Sequence, residues 1–80
     1  MINIYDERTI KEFGKRLRSL RKEKGYTQIQ LAKKAGITFS QIGRIERGIQ
    51  NTTLSTIGTL AKALEISPKT LLDFPFEGKK

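Results

Sequence analysis

The 80-residue sequence contains no cysteine and no histidine, so disulfides, Cys/His metal sites, thiol nucleophiles and imidazole bases are excluded together. Its eight Asp and Glu residues form no paired set at helical spacing in an apolar setting, and no glycine-rich phosphate loop occurs. An enzyme is therefore the reading these residues serve least, with no catalytic residue, metal ligand or cofactor site to name. What remains is charge and hydrogen bonding. Sixteen Lys/Arg give a formal charge of +8, which points to a polyanionic partner, either nucleic acid or an anionic membrane surface. Residues 1–48 hold 12 Lys/Arg against 5 Asp/Glu, whereas residues 49–80 hold 4 against 3, so the contact surface belongs to the N-terminal half. There the stretch Phe39-Ser40-Gln41-Ile42-Gly43-Arg44-Ile45-Glu46-Arg47 combines an aromatic ring, a hydroxyl, an amide and guanidinium groups. Such side chains hydrogen-bond and stack.

Positioning them falls to helices, because apolar residues recur at three- and four-residue steps and no segment alternates with the period of a strand. The first helix starts near Asp6, with Tyr5 and Ile10 as a hydrophobic staple, or at the capping box Thr9-Ile10-Lys11-Glu12. Ile10, Phe13, Leu17 and Leu20 form its buried stripe, with Arg16, Arg18, Lys22 and Lys24 off it, and Gly25 ends it. A second capping box, Thr27-Gln28-Ile29-Gln30, opens a helix of barely two turns to Ala35, which Gly36 closes in a left-handed conformation. Thr38-Phe39-Ser40-Gln41 opens the third, which runs to Gly48. The fourth carries Leu54, Ile57, Leu60, Ala61 and Leu64. The fifth begins at Ser67-Pro68, where Ser caps and Pro takes the first helical position, and Phe74-Pro75 ends it. Residues 1–8 read as an N-terminal extension, 9–74 as one domain and 75–80 as a disordered tail.

From Gln28 to Arg47 the spacing Gln28, Ala32, Gly36, Ile42, Ile45 resembles the helix-turn-helix motif. Ala32 is small where two helices cross, Gly36 takes a conformation a side chain resists, and Ile37, Ile42 and Ile45 fill the angle between the helices. The likeness extends through Leu17-Arg18-Ser19-Leu20-Arg21-Lys22-Glu23-Lys24-Gly25, through Ile45-Glu46-Arg47-Gly48, and through Leu60-Ala61-Lys62-Ala63-Leu64 with Leu71-Leu72. Over residues 11 to 73 the chain resembles the phage repressor/Cro-like (XRE) helix-turn-helix family. The resemblance implies an all-α, compact five-helix, lambda-repressor-like DNA-binding domain and a transcriptional regulator.

It also implies that the third helix lies in the major groove of double-stranded DNA. With Ile42 and Ile45 inward, a step of about 100° per residue places Ser40, Gly43, Arg44 and Arg47 on the opposite side, flanked by Phe39 and Gln41. Arg44 suits guanine O6/N7, Ser40 and Gln41 suit base edges, and Phe39 suits a thymine methyl. Gly43 reads as a place where bulk would hold the helix out of the groove. Gln28, at the N-terminus of the second helix, is the family's phosphate contact. Arg47, Asn51 and Thr52 are further phosphate candidates, while Lys33 and Lys34 supply general attraction. Glu46, an acid on a basic surface, matches the family position that pairs with Arg21, which makes the two a structural ion pair.

Leu71, Leu72, Phe74 and Phe76 either close the core or form a homodimer interface that sets two recognition helices about 34 Å apart on a two-fold symmetric operator; Ile2, Ile4 and Tyr5 fit either use. The leading expectation is a DNA-binding transcriptional regulator, a repressor, dimeric through its C-terminal helices. The alternative is a DNA-binding antitoxin or restriction–modification controller that works with a protein partner. A basic membrane-surface helix would make the helix-turn-helix spacing a coincidence. No apolar run approaches the roughly 20 residues of a membrane span, and the first residues lack a secretion signal, so a cytoplasmic location is expected.

Overall fold

A computed structural model describes residues 6–75. The described chain folds as α1 (Glu7–Glu23), α2 (Gln28–Ala35), α3 (Phe39–Glu46), α4 (Leu54–Ala63) and α5 (Pro68–Leu71), with no strand among the described residues. Of the two starts open for α1, Asp6 is the cap: its Oδ1 accepts from Arg8 N at 3.1 Å and Thr9 N at 3.2 Å, and Thr9 Oγ1 donates to its Oδ2 at 2.9 Å. The Thr9 amide and hydroxyl bonds, chiefly, hold the Asp6 carboxyl below its usual pKa. Glu7 and Arg8, read from sequence as extension, thus form the first turn of α1. The Tyr5 staple, the other apolar residues of the first five, Phe76 and the tail lie outside the described residues.

Leu17, Leu31, Ile42, Ile45, Leu60, Leu64 and Leu71 are fully buried and come from every helix or its cap. Around them α1 packs on α3 and α5, α2 on α3 and α4, and α4 on α5. Gly14 lets α1 approach α3 closely. A Cβ there would overlap the Ile45 carbonyl oxygen and lie 2.9 Å from Glu46 O, so α1 rests directly on the last turn of α3.

Leu54 opens α4 after the Thr53 cap, as the first of its apolar residues, and is 82% exposed. One expectation about the C-terminal half changes, the end of α5. Helix α5 stops at Leu71, short of Phe74-Pro75, where Arg16 Nε and Nη2 donate to Thr70 O at 3.1 and 2.9 Å and satisfy a carbonyl of its last turn. Leu71 is wholly inside the core. Leu72 and Phe74 pack against that core, the Phe74 ring tilted 59° to Phe13 at 6.2 Å.

Candidate nucleic-acid interface

The two helices at the surface of interest are fixed by their own ends. Thr27 and Gln30 form a complete capping box, Gln30 N donating to Thr27 Oγ1 at 3.1 Å and Thr27 N to Gln30 Oε1 at 2.8 Å. Gly36 closes α2 at φ +70, and Ile37 N returns to Ala32 O at 3.1 Å. A left-handed residue here reverses the chain within the three positions before α3, which a β-carbon would resist. Thr38 caps α3 by accepting from Gln41 N at 3.0 Å. The return bond from the Gln41 side chain that would complete a second box is not made, and that side chain is half-buried at the first turn of α3.

Inside this corner sits a charged network. Arg21 Nε donates to Glu46 Oε2 at 2.7 Å and its Nη2 to Oε1 at 3.0 Å, while Nη1 donates to Tyr26 O at 2.7 Å. The side chains are only 9% and 3% exposed. A bidentate arginine with its third edge on a carbonyl leaves little of either charge unsatisfied, as burial requires. Gln28 Nε2 adds a bond to Glu46 Oε1 at 2.9 Å. One Nε2 hydrogen is therefore committed to the carboxylate, and the other, together with the backbone N–H groups of the first turn of α2, is left for an anion.

On the outer side of α3, Phe39, Ser40, Arg44 and Arg47 are exposed, Phe39 at 53%. Arg44 Nη1 donates to Ser40 Oγ at 2.7 Å and its Nε to Gln50 Oε1 at 2.9 Å. Gly43 departs from the helical-wheel expectation. It is buried, because Arg47 folds back one turn and its Nη1 would lie 3.1 Å from a Cβ at that position. Asn51 is exposed in the α3–α4 connection, but Thr52 is not placed as expected: its hydroxyl is buried without a hydrogen-bond partner. Gln50, Asn51 and Thr52 border an apolar groove walled by Ile10, Phe13 and Ile57. Two residues of this surface escaped sequence reasoning. Gln50 lies beyond α3, where no local pattern marks it, and Ile29, 53% exposed, sits beside Phe39 in a depression shared with Arg18, Thr27 and Gln28. An exposed isoleucine in the first turn of α2, on the edge of its apolar stripe, was the available signal.

Two short helices crossing over a three-residue turn, backed by α1, α4 and α5, define an all-α helix-turn-helix domain. Residues 17–71 match the helix-turn-helix family HTH_3, and the chain belongs to it. It is 41% identical over 61 residues to the HTH-type transcriptional regulator SinR of Bacillus subtilis (strain 168), a match covering 75% of this chain and 55% of SinR. The chain thus spans about half the length of that relative. Its fold is similar to the restriction–modification controller protein C.AhdI from Aeromonas hydrophila, with a TM-score of 0.76 and 45% identity over 78% of this chain and 94% of that one. It is also similar to SinR solved in complex with DNA, with a TM-score of 0.72 and 40% identity over 76% of this chain and 98% of that one. Among the described residues no helix is long and apolar enough to cross a membrane.

Proposed function

We propose that this chain is a sequence-specific, double-stranded-DNA-binding transcriptional regulator, a repressor that acts in the cytoplasm without a catalytic step. The observation that carries this reading is Arg44, exposed on the outer face of α3 with neutral acceptors around it and no carboxylate among its hydrogen-bond partners. In the major groove Arg44 pairs with guanine, Ser40 and Gln41 meet neighbouring base edges, and Phe39 meets a thymine methyl. Gln28 and the backbone N–H groups at the start of α2, together with Arg47 and Asn51, hold phosphates and set the register. Likeness to SinR, which was solved in complex with DNA, supports DNA binding by this chain.

The regulator pairs with a second copy through its C-terminal helices, so that two α3 helices meet a two-fold symmetric operator about one helical turn apart. Leu71 takes no part, being inside the core; Leu54, the most exposed of the large apolar side chains described, is the better candidate on α4. Likeness to C.AhdI supports a second reading, in which the chain controls restriction–modification genes, and 40% identity over 57 residues to the antitoxin HipB of Escherichia coli (strain K12) supports its variant, an antitoxin that works alongside a protein partner. Selection of bound sequences from a random duplex pool tests the proposal. Enrichment of a two-fold symmetric site is the expected result, and a pool that stays random would overturn it. A genomic copy of that site beside a restriction or toxin gene would favour the second reading.

A further inference from the structure

Gln50 belongs to no helix, yet it holds the side chain on which the proposed base reading turns. Arg44 is bonded from two directions, by Ser40 Oγ one turn earlier on α3 and by Gln50 Oε1 from the connection that follows. That connection is itself tied to Arg44. Gly48 turns at φ +75, its N–H returns to Ile45 O at 3.0 Å, and Ile49 N donates to Arg44 O at 3.1 Å. Gly48 also sits so close to α1 that a Cβ would lie 2.8 Å from Lys11 Cα. The path of the chain into Gln50 is therefore set by α1 and α3 together.

From this arrangement we infer that Gln50 is a positioning residue that fixes how Arg44 presents its guanidinium, and so determines specificity at one base pair. The inference rests on the DNA-reading function proposed above. An unrestrained surface arginine samples many rotamers and must be ordered on binding. Here the order is already present. Nε has one hydrogen, and Gln50 accepts it, so the side-on fork of Nε and Nη2 is closed; Nη1 gives one of its two hydrogens to Ser40 Oγ, and its other hydrogen with those of Nη2 is left for guanine O6 and N7. Both acceptors are uncharged. A carboxylate in place of either would offset the charge of Arg44 and weaken its attraction to every duplex, whereas a hydroxyl and an amide direct the cation without that cost.

The test uses the full chain, the duplex enriched by selection, and a set of duplexes changed at one base pair at a time. Arg44→Ala identifies the pair that Arg44 reads. Gln50→Ala is expected to lower the preference at that same pair by about fivefold, as loss of one hydrogen bond of ordinary net strength would, with affinity for unrelated duplex and the melting temperature unchanged. Gln50→Glu keeps an acceptor for Nε and is expected to keep the ranking of bases there while weakening binding to every duplex. The double variant should lose no more preference than Arg44→Ala alone. Three outcomes overturn the inference while leaving the proposed function intact: Gln50→Ala retains the preference, shifts the loss to another base pair, or adds its loss to that of Arg44→Ala. If the unaltered chain prefers no sequence, the proposed function and this inference fall together.

Discussion

Arg21 and Arg44 are both held by more than one hydrogen bond, and α3 contributes to both sites, but the two are built for opposite ends. Arg21 is buried and its partner is a carboxylate, Glu46, with the Tyr26 carbonyl completing its shell. Arg44 is exposed and its partners, Ser40 and Gln50, are neutral. Arg44 and Glu46 stand two residues apart, about 200° around the helix, so one helix carries a neutralised charge inward and an available charge outward. Burial with neutralisation makes Arg21 a fastener between α1 and α3; exposure without it suits Arg44 to the reading role proposed for it. Each substitution below is a way to break or sharpen that contrast.

The largest effect belongs to Glu46→Ala. It leaves the Arg21 guanidinium buried with only a carbonyl partner and deprives Gln28 of its acceptor, which costs about 3–5 kcal/mol for a pair this enclosed. A thermal melt followed by circular dichroism should show the midpoint fall by at least about 12 °C, and the protein that stays folded should keep its base ranking. A midpoint unchanged from the parent would mean that Glu46 is a surface residue in solution, and the contrast with Arg44 would collapse.

Gly14→Ala follows, because the fastener works only while the α1 backbone lies on α3. The new β-carbon would run into the carbonyl oxygens of Ile45 and Glu46, backbone atoms that cannot rotate away, at a cost of about 3 kcal/mol. Urea unfolding measures it, and the variant should lose stability while keeping the network's hydrogen-bonding residues unaltered. Stability within error of the parent would show that the α1–α3 contact is looser than described.

Arg44→Ala is third and registers in a different assay. It should cost about 1–3 kcal/mol on the selected duplex and flatten one base position, with folding stability within about 0.5 kcal/mol of the parent, as for an exposed side chain. A clear loss of stability would place Arg44 among the fasteners.

What could be read from the sequence follows the range of the interactions. Caps act over three residues, so Thr27, Thr38 and Ser67 announce their helices directly, and Asp6 needed only to be chosen over Thr9. The inward placement of Ile42 and Ile45 follows from helical period, and both are fully buried. Contacts across the fold carry no such mark. The bond from Gln28 to Glu46 joins residues 18 positions apart, and the bond from Arg44 to Gln50 depends on the path of the chain after Gly48. The pairing of Arg21 with Glu46 was suggested by family likeness rather than by any pattern in the residues themselves. At residue 43 the wheel gave the wrong exposure, because it ignores a long side chain folding back from the next turn.

Gly43→Ala gives the smallest effect and the finest division between fastening and reading. A glycine inside a helix costs about 1 kcal/mol relative to alanine, so the variant gains that much unless the new β-carbon is opposed. Its neighbour is Arg47 Nη1 at 3.1 Å, the far end of a flexible, exposed side chain, which yields by a few tenths of an ångström at little cost. The melting midpoint should therefore rise by about 4–8 °C, opposite in sign to Gly14→Ala although both add one methyl group to a buried glycine. Binding separates two roles for the position. If Gly43 only makes room for Arg47, a phosphate contact, the methyl group should weaken all duplexes alike by no more than about threefold and lower the salt slope of log affinity by no more than about 0.9, the share of one phosphate. Loss confined to the selected duplex, with unrelated duplex bound as before, would show that α3 approaches the bases at residue 43 itself, and the reading face would then extend from Arg44 across the position that Arg47 covers in the free protein.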